Sequence, residues 1–362
     1  NSDIVVSDEP VDAHAEPERV PVLLDNPPFI RPFQRLLALF QPPRYGTWDP
    51  SPEMAITFPI FVGLVIGDIG YGLLLLLLGL WLGSRARSGR VLEIPFLSMR
   101  FQTPILADVS FLLQVLSFWI ILFGVIYAEF FGNLLELLFH VRPVYDRVAE
   151  AQNYFIVVIV AGIFMIFLGL LVHLIEAIRH KHASGIFESI VLMLGTAGLL
   201  LFLGGRGGQL PIQLAPLGLD LFLAAVGVAL VSLIVDRDIM KRLLWLLEST
   251  SAFGHILSHA RLMAFGLAAA ELGIAANMLG PDMVREFAKL PLIGFLFTGV
   301  VGRIFAILII VAAQSMFLIF TILGHVLQPA RLHWVEFFTK FKYHEQTGRA
   351  YRPFQKSSVP GR

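Results

Sequence analysis

Arg261 lies well inside an apolar, small-residue-rich stretch, ESTSAFGHILSHARLMAFGLAAAELGIAANMLG (248–280), long enough to cross a bilayer. A charged side chain near mid-membrane costs roughly 2.5–3.5 kcal/mol on insertion scales, which makes this residue a candidate for function. The competing account is an arginine that snorkels to the interface or joins a structural ion pair. Glu248, His255 and His259 are seven and four residues apart, so they share one helical face near the same end of the segment. Arg261 projects about 140° away from that face. Its own side carries Gly254, Ser258, Phe265, Ala268 and Ala269, and the small residues let another helix approach the guanidinium.

A second polar file runs along the last apolar segment. Gln314, Thr321, His325 and Gln328 fall on one face, with Arg331 three residues further on. Polar side chains on an otherwise apolar helix point to water, because a buried polar group without a partner is costly. The alternative is hydrogen bonding between helices, which averages only ~0.6 kcal/mol. His173, Glu176, Arg179, His180, Lys181 and His182 cluster at another helix end, with Glu188 just beyond. Imidazole and carboxylate at this spacing could relay protons, or could form an ordinary interfacial charge belt. Asp68, in Gly67-Asp68-Ile69-Gly70-Tyr71-Gly72, suits an N-cap or an ionisable group in a hydrated half-channel, and both can hold. Glu129, in GVIYAEFFGN, is placed between the same two roles of relay and interface. The histidines lack a metal-binding spacing, so no metal and no cofactor are expected. There is no phosphate-binding G-x-x-x-x-G-K-[ST] loop and no nucleophile elbow, so this chain is not expected to hydrolyse a nucleotide itself.

The elements that must position these groups follow from composition. Of 362 residues, 56% are hydrophobic and only 15% charged, against about 25% charged in a soluble domain. Apolar runs near the ~20 residues that span a hydrocarbon core indicate an all-α, polytopic membrane bundle. The formal net charge is zero, which gives no sign of a nucleic-acid partner. With no cysteine, disulfides, cysteine metal sites and thiol catalysis are excluded. The polar opening has no n-region followed by an h-region, so no signal peptide is expected.

Residues 1–26 are acidic and aperiodic, as in a linker, and 27–40 (PPFIRPFQRLLALF) has the pattern of an amphipathic surface helix. The apolar runs are 55–83, 108–131, 154–178, 186–204, 217–235, 251–279 and 293–329. Basic residues concentrate in 84–100, 179–182, 236–242 and the C-terminal tail. A single crossing at 55–83 would put Arg31, Arg35 and Arg44 opposite the arginine-rich 84–100 loop. A hairpin broken at Gly67–Gly72 puts every basic loop on one side, as the positive-inside rule requires. Its arms are short, roughly 20–25 Å each. The expected organisation is therefore a linker with a surface helix over 1–50, an ion-channel bundle of about eight helices over 51–330, and a tail over 331–362. Both termini are expected on the cytoplasmic side.

Several stretches together resemble the membrane part of the rotary V/A-type ATPase subunit a, also called subunit I. They are FPIFVGLVIGDIGYG (58–72), FGVIYAEFFGN (123–133), SHARLMAFGLA (258–268), ARLHWVEFFTKF (330–341) and GRAYRPF (348–354), with a lead-in at 26–50. The resemblance covers nearly the whole chain from about residue 26. It implies an eight-helix bundle with two long tilted C-terminal helices beside a rotating ring of c-type proteolipids, in a bacterial or archaeal cell membrane. Arg261 matches the family's essential stator arginine and Arg331 its second arginine. Glu248 matches the cytoplasmic-side carboxylate, Gln328 the glutamine near the second arginine, and Asp68 and Glu129 the half-channel carboxylates.

What the resemblance implies is a non-catalytic subunit that carries protons between two half-channels, with Na⁺ as the other possible ion. Its partners would be the proteolipid ring, the peripheral and central stalk subunits, and membrane lipid. One departure stands out, since eukaryotic members carry a glutamate where this chain has Thr321. The family's large soluble N-terminal domain has no counterpart in these residues, which suggests part of a longer protein. A proton-coupled secondary transporter, with Arg261 binding an anionic solute, is the alternative; it calls for internal symmetry that the sequence does not display.

Overall fold

The computed structural model describes residues 20–37, 42–94, 99–181, 183–235, 251–252, 254–290, 294–340 and 348–351. The expected sites Glu248 and His182, and the basic loop 236–242, lie outside them. The helices are α1 (Arg31–Leu37), α2 (Ser51–Ile66), α3 (Ile69–Arg87), α4 (Thr103–Tyr127), α5 (Leu134–Phe139), α6 (Ala151–Arg179), α7 (Ala183–Arg206), α8 (Leu214–Val235), α9 (Ala260–Ala288) and α10 (Gly299–Arg331). A π-helical turn, Leu332–Phe337, extends α10. Strands are confined to two short pairs, β1 (Pro21–Val22) with β4 (Arg349–Ala350), and β2 (Leu92–Ile94) with β3 (Met99–Phe101). The all-α membrane architecture expected from composition is what the chain adopts. Among the described residues six helices are long and apolar enough to cross a membrane, and Ser51–Ile66 and Leu214–Ala229 are shorter apolar helices.

The 55–83 run is a hairpin. Asp49 Oδ1 accepts from the Ser51 N–H and hydroxyl, 2.9 and 2.7 Å, and Pro52 follows in the first turn, so α2 starts there. It stops at Gly67, whose φ of +40° places it in the left-handed region that glycine tolerates. Asp68 is extended and its carboxylate accepts from the Tyr71 N–H at 2.9 Å, capping α3. The break is thus two residues, Gly67-Asp68; Gly70, Tyr71 and Gly72 are already helical. The directions are read from the flank of α4. Gly63 and Gly67 on α2 face Trp119 and Tyr127, running parallel to α4, while Gly72, Gly79 and Gly83 on α3 face Ile121, Leu113 and Ser110, running antiparallel. Two arms of opposite direction against one helix make a hairpin.

α2 is apolar on most of its surface because it is enclosed over most of its length, with Ile56 exposed near its start. Phe61, Leu64 and Val65 pack into one core with Tyr154, Val158 and Met165 of α6 and Leu262 of α9. Met54, Phe58, Val62 and Ile66 pack into another with Tyr71, Leu75, Leu116 and Ile120. α1 lies across this hub with Phe33 and Leu37 buried, and Arg35 pairs with Asp108 on α4. So the expected surface helix is amphipathic as read, over the described part Arg31–Leu37. α9 and α10 form an antiparallel pair, seen in Gly280 against Ala306, Phe265 against His325 and Ser258 against Glu336.

Candidate functional site

The seam between α9 and α10 carries polar groups near its middle, around Gln314, and at the end that holds Arg261 and Arg331. At the first of these, beside the start of α3, Asp68 is buried and accepts from three main-chain N–H groups. These belong to Tyr71 (2.9 Å), Phe131 (3.0 Å) and Gly132 (2.7 Å). Its carboxylate therefore ties the hairpin turn to the loop after α4. Gly132, at φ +72°, lies directly on Gly273 of α9, so close that a Cβ on either would meet backbone. Gln314 of α10 completes the junction. Its Nε2 donates to Phe131 O (3.1 Å), Gly273 O (3.2 Å) and Asn277 Oδ1 (2.9 Å), and its Oε1 accepts from the Tyr71 hydroxyl.

Glu129 is paired rather than free. Arg147, 1% exposed, donates to Glu129 from Nε at 2.8 Å and Nη2 at 2.6 Å. The same guanidinium donates to Val65 O (2.8 Å) and Ile66 O (3.2 Å), closing the open carbonyls at the end of α2, and lies over the Tyr127 ring. Burial pushes the Glu129 carboxyl up from its ordinary value, with Arg147 pulling the other way. Burial also works against the Arg147 charge, but Glu129 more than offsets it and the guanidinium is held protonated.

At the second stand Arg261 and Arg331. Arg261 is half-buried, and its Nη1 is buried with no hydrogen-bond partner; Arg331 is exposed. Ser258, one turn before Arg261, donates to Glu336 Oε1 at 2.5 Å. Gln328 Oε1 and Glu336 Oε2 are buried and unpartnered. Between the two lie Thr321 and His325, both buried. His325 Nδ1 contacts Thr321 O at 3.2 Å, its ring stands edge-on to Phe265 at 5.4 Å, and its Nε2 has no partner. Gln314 and Gln328 are about 21 Å apart along α10 at 1.5 Å per residue.

The remaining expected residues fall elsewhere. His259 is fully buried, its Nδ1 on His255 O at 2.9 Å, its ring edge-on to Phe61 and against Gly162; His255 is half-buried. So this face packs on α2 and α6, while the Arg261 face meets the end of α10. His173 bonds Ser189 Oγ through Nδ1 at 2.8 Å, linking α6 to α7, and Glu188 is half-buried one residue before that serine. Glu176 Oε1 accepts from the Trp48 N–H at 3.2 Å, and its Oε2 is buried without a partner. Among the described residues no cluster of His, Asp or Glu has the arrangement to hold a metal.

Sequence reasoning did not single out Arg147, Asn277, Tyr71 or Glu336. Arg147 reads as one of several loop charges, and its pair with Glu129 spans 18 positions. Glu336 is five residues past Arg331, about 140° away on an α-helix. The π turn, which closes on i→i+5, changes that spacing and turns Glu336 toward the face of Arg331.

Comparison with known proteins places the chain in a family. The model of the V-type ATPase 116kDa subunit family matches residues 7–154. A-type ATP synthase subunit I of Archaeoglobus fulgidus is 30% identical, over 96% of this chain and 55% of its own length. The chain belongs to the V/A-type ATPase subunit a/I family. The subunits I of Pyrococcus horikoshii and Methanothermobacter thermautotrophicus are 28% and 26% identical, over 94% and 90% of this chain and 48% and 44% of theirs. The chain spans about half the length of the curated relatives it matches. It is an integral membrane protein by its six apolar helices and its relatives.

Proposed function

We propose that this chain is the membrane stator of a rotary V/A-type proton-translocating ATPase or ATP synthase. It would provide two proton half-channels against a ring of c-type proteolipids, with Arg261 between them. The observation that carries this is the α9–α10 seam, polar at its middle and at one end, and holding at that end a half-buried arginine with an unpartnered Nη1. A ring carboxylate facing lipid stays protonated, because burying its charged form is prohibitive. Beside Arg261 the opposite charge favours ionisation, and the proton leaves through one half-channel. Arg261 cannot carry the proton itself, since a guanidinium does not deprotonate in proteins. It acts as a fixed charge that stops protons passing directly from one half-channel to the other.

Thr321, His325, Gln328 and Arg331 would line the path on the seam, with Asp68 and Glu129 at one mouth and Glu248, His255, His259, His173, Glu176, His182 and Glu188 toward the cytoplasmic one. The concentration of basic residues in 84–100, 179–182, 236–242 and the C-terminal tail supports both termini facing the cytoplasm, in a cell that would be bacterial or archaeal. Each proton crossing 100 mV supplies about 2.3 kcal/mol, so several are needed per nucleotide. The test is Arg261→Lys in the assembled complex. An ammonium lacks the guanidinium fork and can deprotonate, so ATP-driven proton pumping should stop while the proteolipid ring still co-purifies. Pumping at the normal rate in that variant contradicts the assignment.

A further inference from the structure

Glu336 is a buried carboxylate at the Arg261 end of the seam, 2% exposed. One oxygen accepts from Ser258 Oγ at 2.5 Å and the other is buried without a hydrogen-bond partner. Three features bring it there. Ser258 is three residues before Arg261, so the serine and the arginine share a helical face. The π turn brings Glu336, five residues after Arg331, toward the same face, and its geometry is explicit in the Phe338 N–H donating to His333 O, five residues back. The turn is also pinned from behind: His333 is fully buried, with Nδ1 on Pro329 O and Nε2 on Thr57 Oγ1, both at 2.7 Å. Rotation of Glu336 away from the seam would break both contacts.

A carboxylate in this position has one oxygen fixed on Ser258 and one uncommitted, one helical turn from Arg261 by way of Ser258 and one π turn from Arg331. Two cations so close to one apolar seam repel unless a negative charge stands by them. Among the described residues neither arginine forms a salt bridge with a carboxylate, and Glu336 stands one turn from Arg331 along its own helix and is bonded to Ser258, one turn from Arg261. We propose that Glu336, oriented by Ser258, is a positioning residue that holds Arg261 and Arg331 at the end of the α9–α10 seam. This rests on the stator function proposed above. Arg261 needs its charge at one place while ring carboxylates pass. A fixed carboxylate with a spare oxygen restrains the guanidinium without cancelling both arginines.

The experiment uses the assembled complex in membrane vesicles, with the amount of complex measured by co-purification of the proteolipid ring. ATP-driven pumping and protons moved per ATP hydrolysed are compared for wild type, E336Q, E336D, S258A, the E336Q/S258A double variant and R261Q. E336Q is expected to lower pumping about tenfold or more and to lower the coupling ratio, with complex abundance unchanged. E336D, which keeps the charge, should recover a large part of both. S258A should give a smaller loss, and the double variant should be no worse than E336Q alone, because the serine acts through the carboxylate. Wild-type pumping and coupling in E336Q, with R261Q inactive, overturns the Glu336 assignment and leaves the stator function standing. Normal pumping in R261Q as well sinks the stator function. If E336Q fails to assemble, S258A decides: unchanged pumping and coupling in that variant overturns the proposal, and a reduced coupling ratio upholds it.

Discussion

Arg147→Met tests whether the hairpin turn is held by one buried ion pair. The substitution is close in volume but removes two hydrogen bonds to Glu129, two to the last carbonyls of α2, and the stacking on Tyr127. Glu129 keeps its place with a side chain only 16% exposed, so its charge is left without a counter-ion in a poorly solvated site. Breaking a buried pair by deleting one partner costs about 3–5 kcal/mol. At about 2 °C per kcal/mol, suited to a large chain, the melting temperature should fall by about 6–10 °C. The assay is thermal unfolding in detergent, followed by tryptophan fluorescence. Glu129→Gln/Arg147→Met should recover part of the loss, since the orphaned charge is then gone. A single variant melting within about 2 °C of wild type would refute the argument. So would a double variant less stable than the single one.

Three other outcomes are expected. Gly67→Val forces a β-branched side chain into φ +40° and onto the Tyr127 ring, and should destabilise by about 1–3 kcal/mol in the same melt. Gln314→Leu strips partners from Tyr71 and Asn277 at a buried junction, and should cost about 1–3 kcal/mol while leaving helix content by circular dichroism unchanged. Thr57→Val leaves His333 Nε2 without its partner and should lower the melting temperature by about 2–6 °C, worked from about 1–3 kcal/mol for an unsatisfied buried group.

Charge distribution and the small-residue pattern were enough to place the 55–83 hairpin before any coordinate. Arg85, Arg87 and Arg90 demanded the same side as Arg31 and Arg35, and the Gly67–Gly72 stretch supplied chain-reversing chemistry inside the run, which the structure narrows to Gly67-Asp68. The polar file on α10 was also legible, because Gln314, Thr321 and His325 keep helical spacing and emerge buried on the seam. Contacts across long sequence separations were not legible. Asp68 meeting Gly132 and Arg147 meeting Val65 depend on how the loop after α4 folds back, and periodicity carries nothing about that. Glu336 was hidden for a different reason. Sequence spacing is converted to direction by assuming ~100° per residue, and one π turn invalidates the conversion at the position that matters.

The small β1–β4 pair has a mechanical consequence. Residues 21–22 run parallel to 349–350, the Tyr351 N–H donates to Val22 O at 3.0 Å, and the Gly348 N–H donates to Pro42 O at 2.8 Å. The strand leading into the helices and the one leaving them are thereby stitched side by side outside the bundle. Tension on the leading strand is loaded in shear onto that stitch before it reaches α2, so the hub helix is insulated from whatever tugs on the chain upstream.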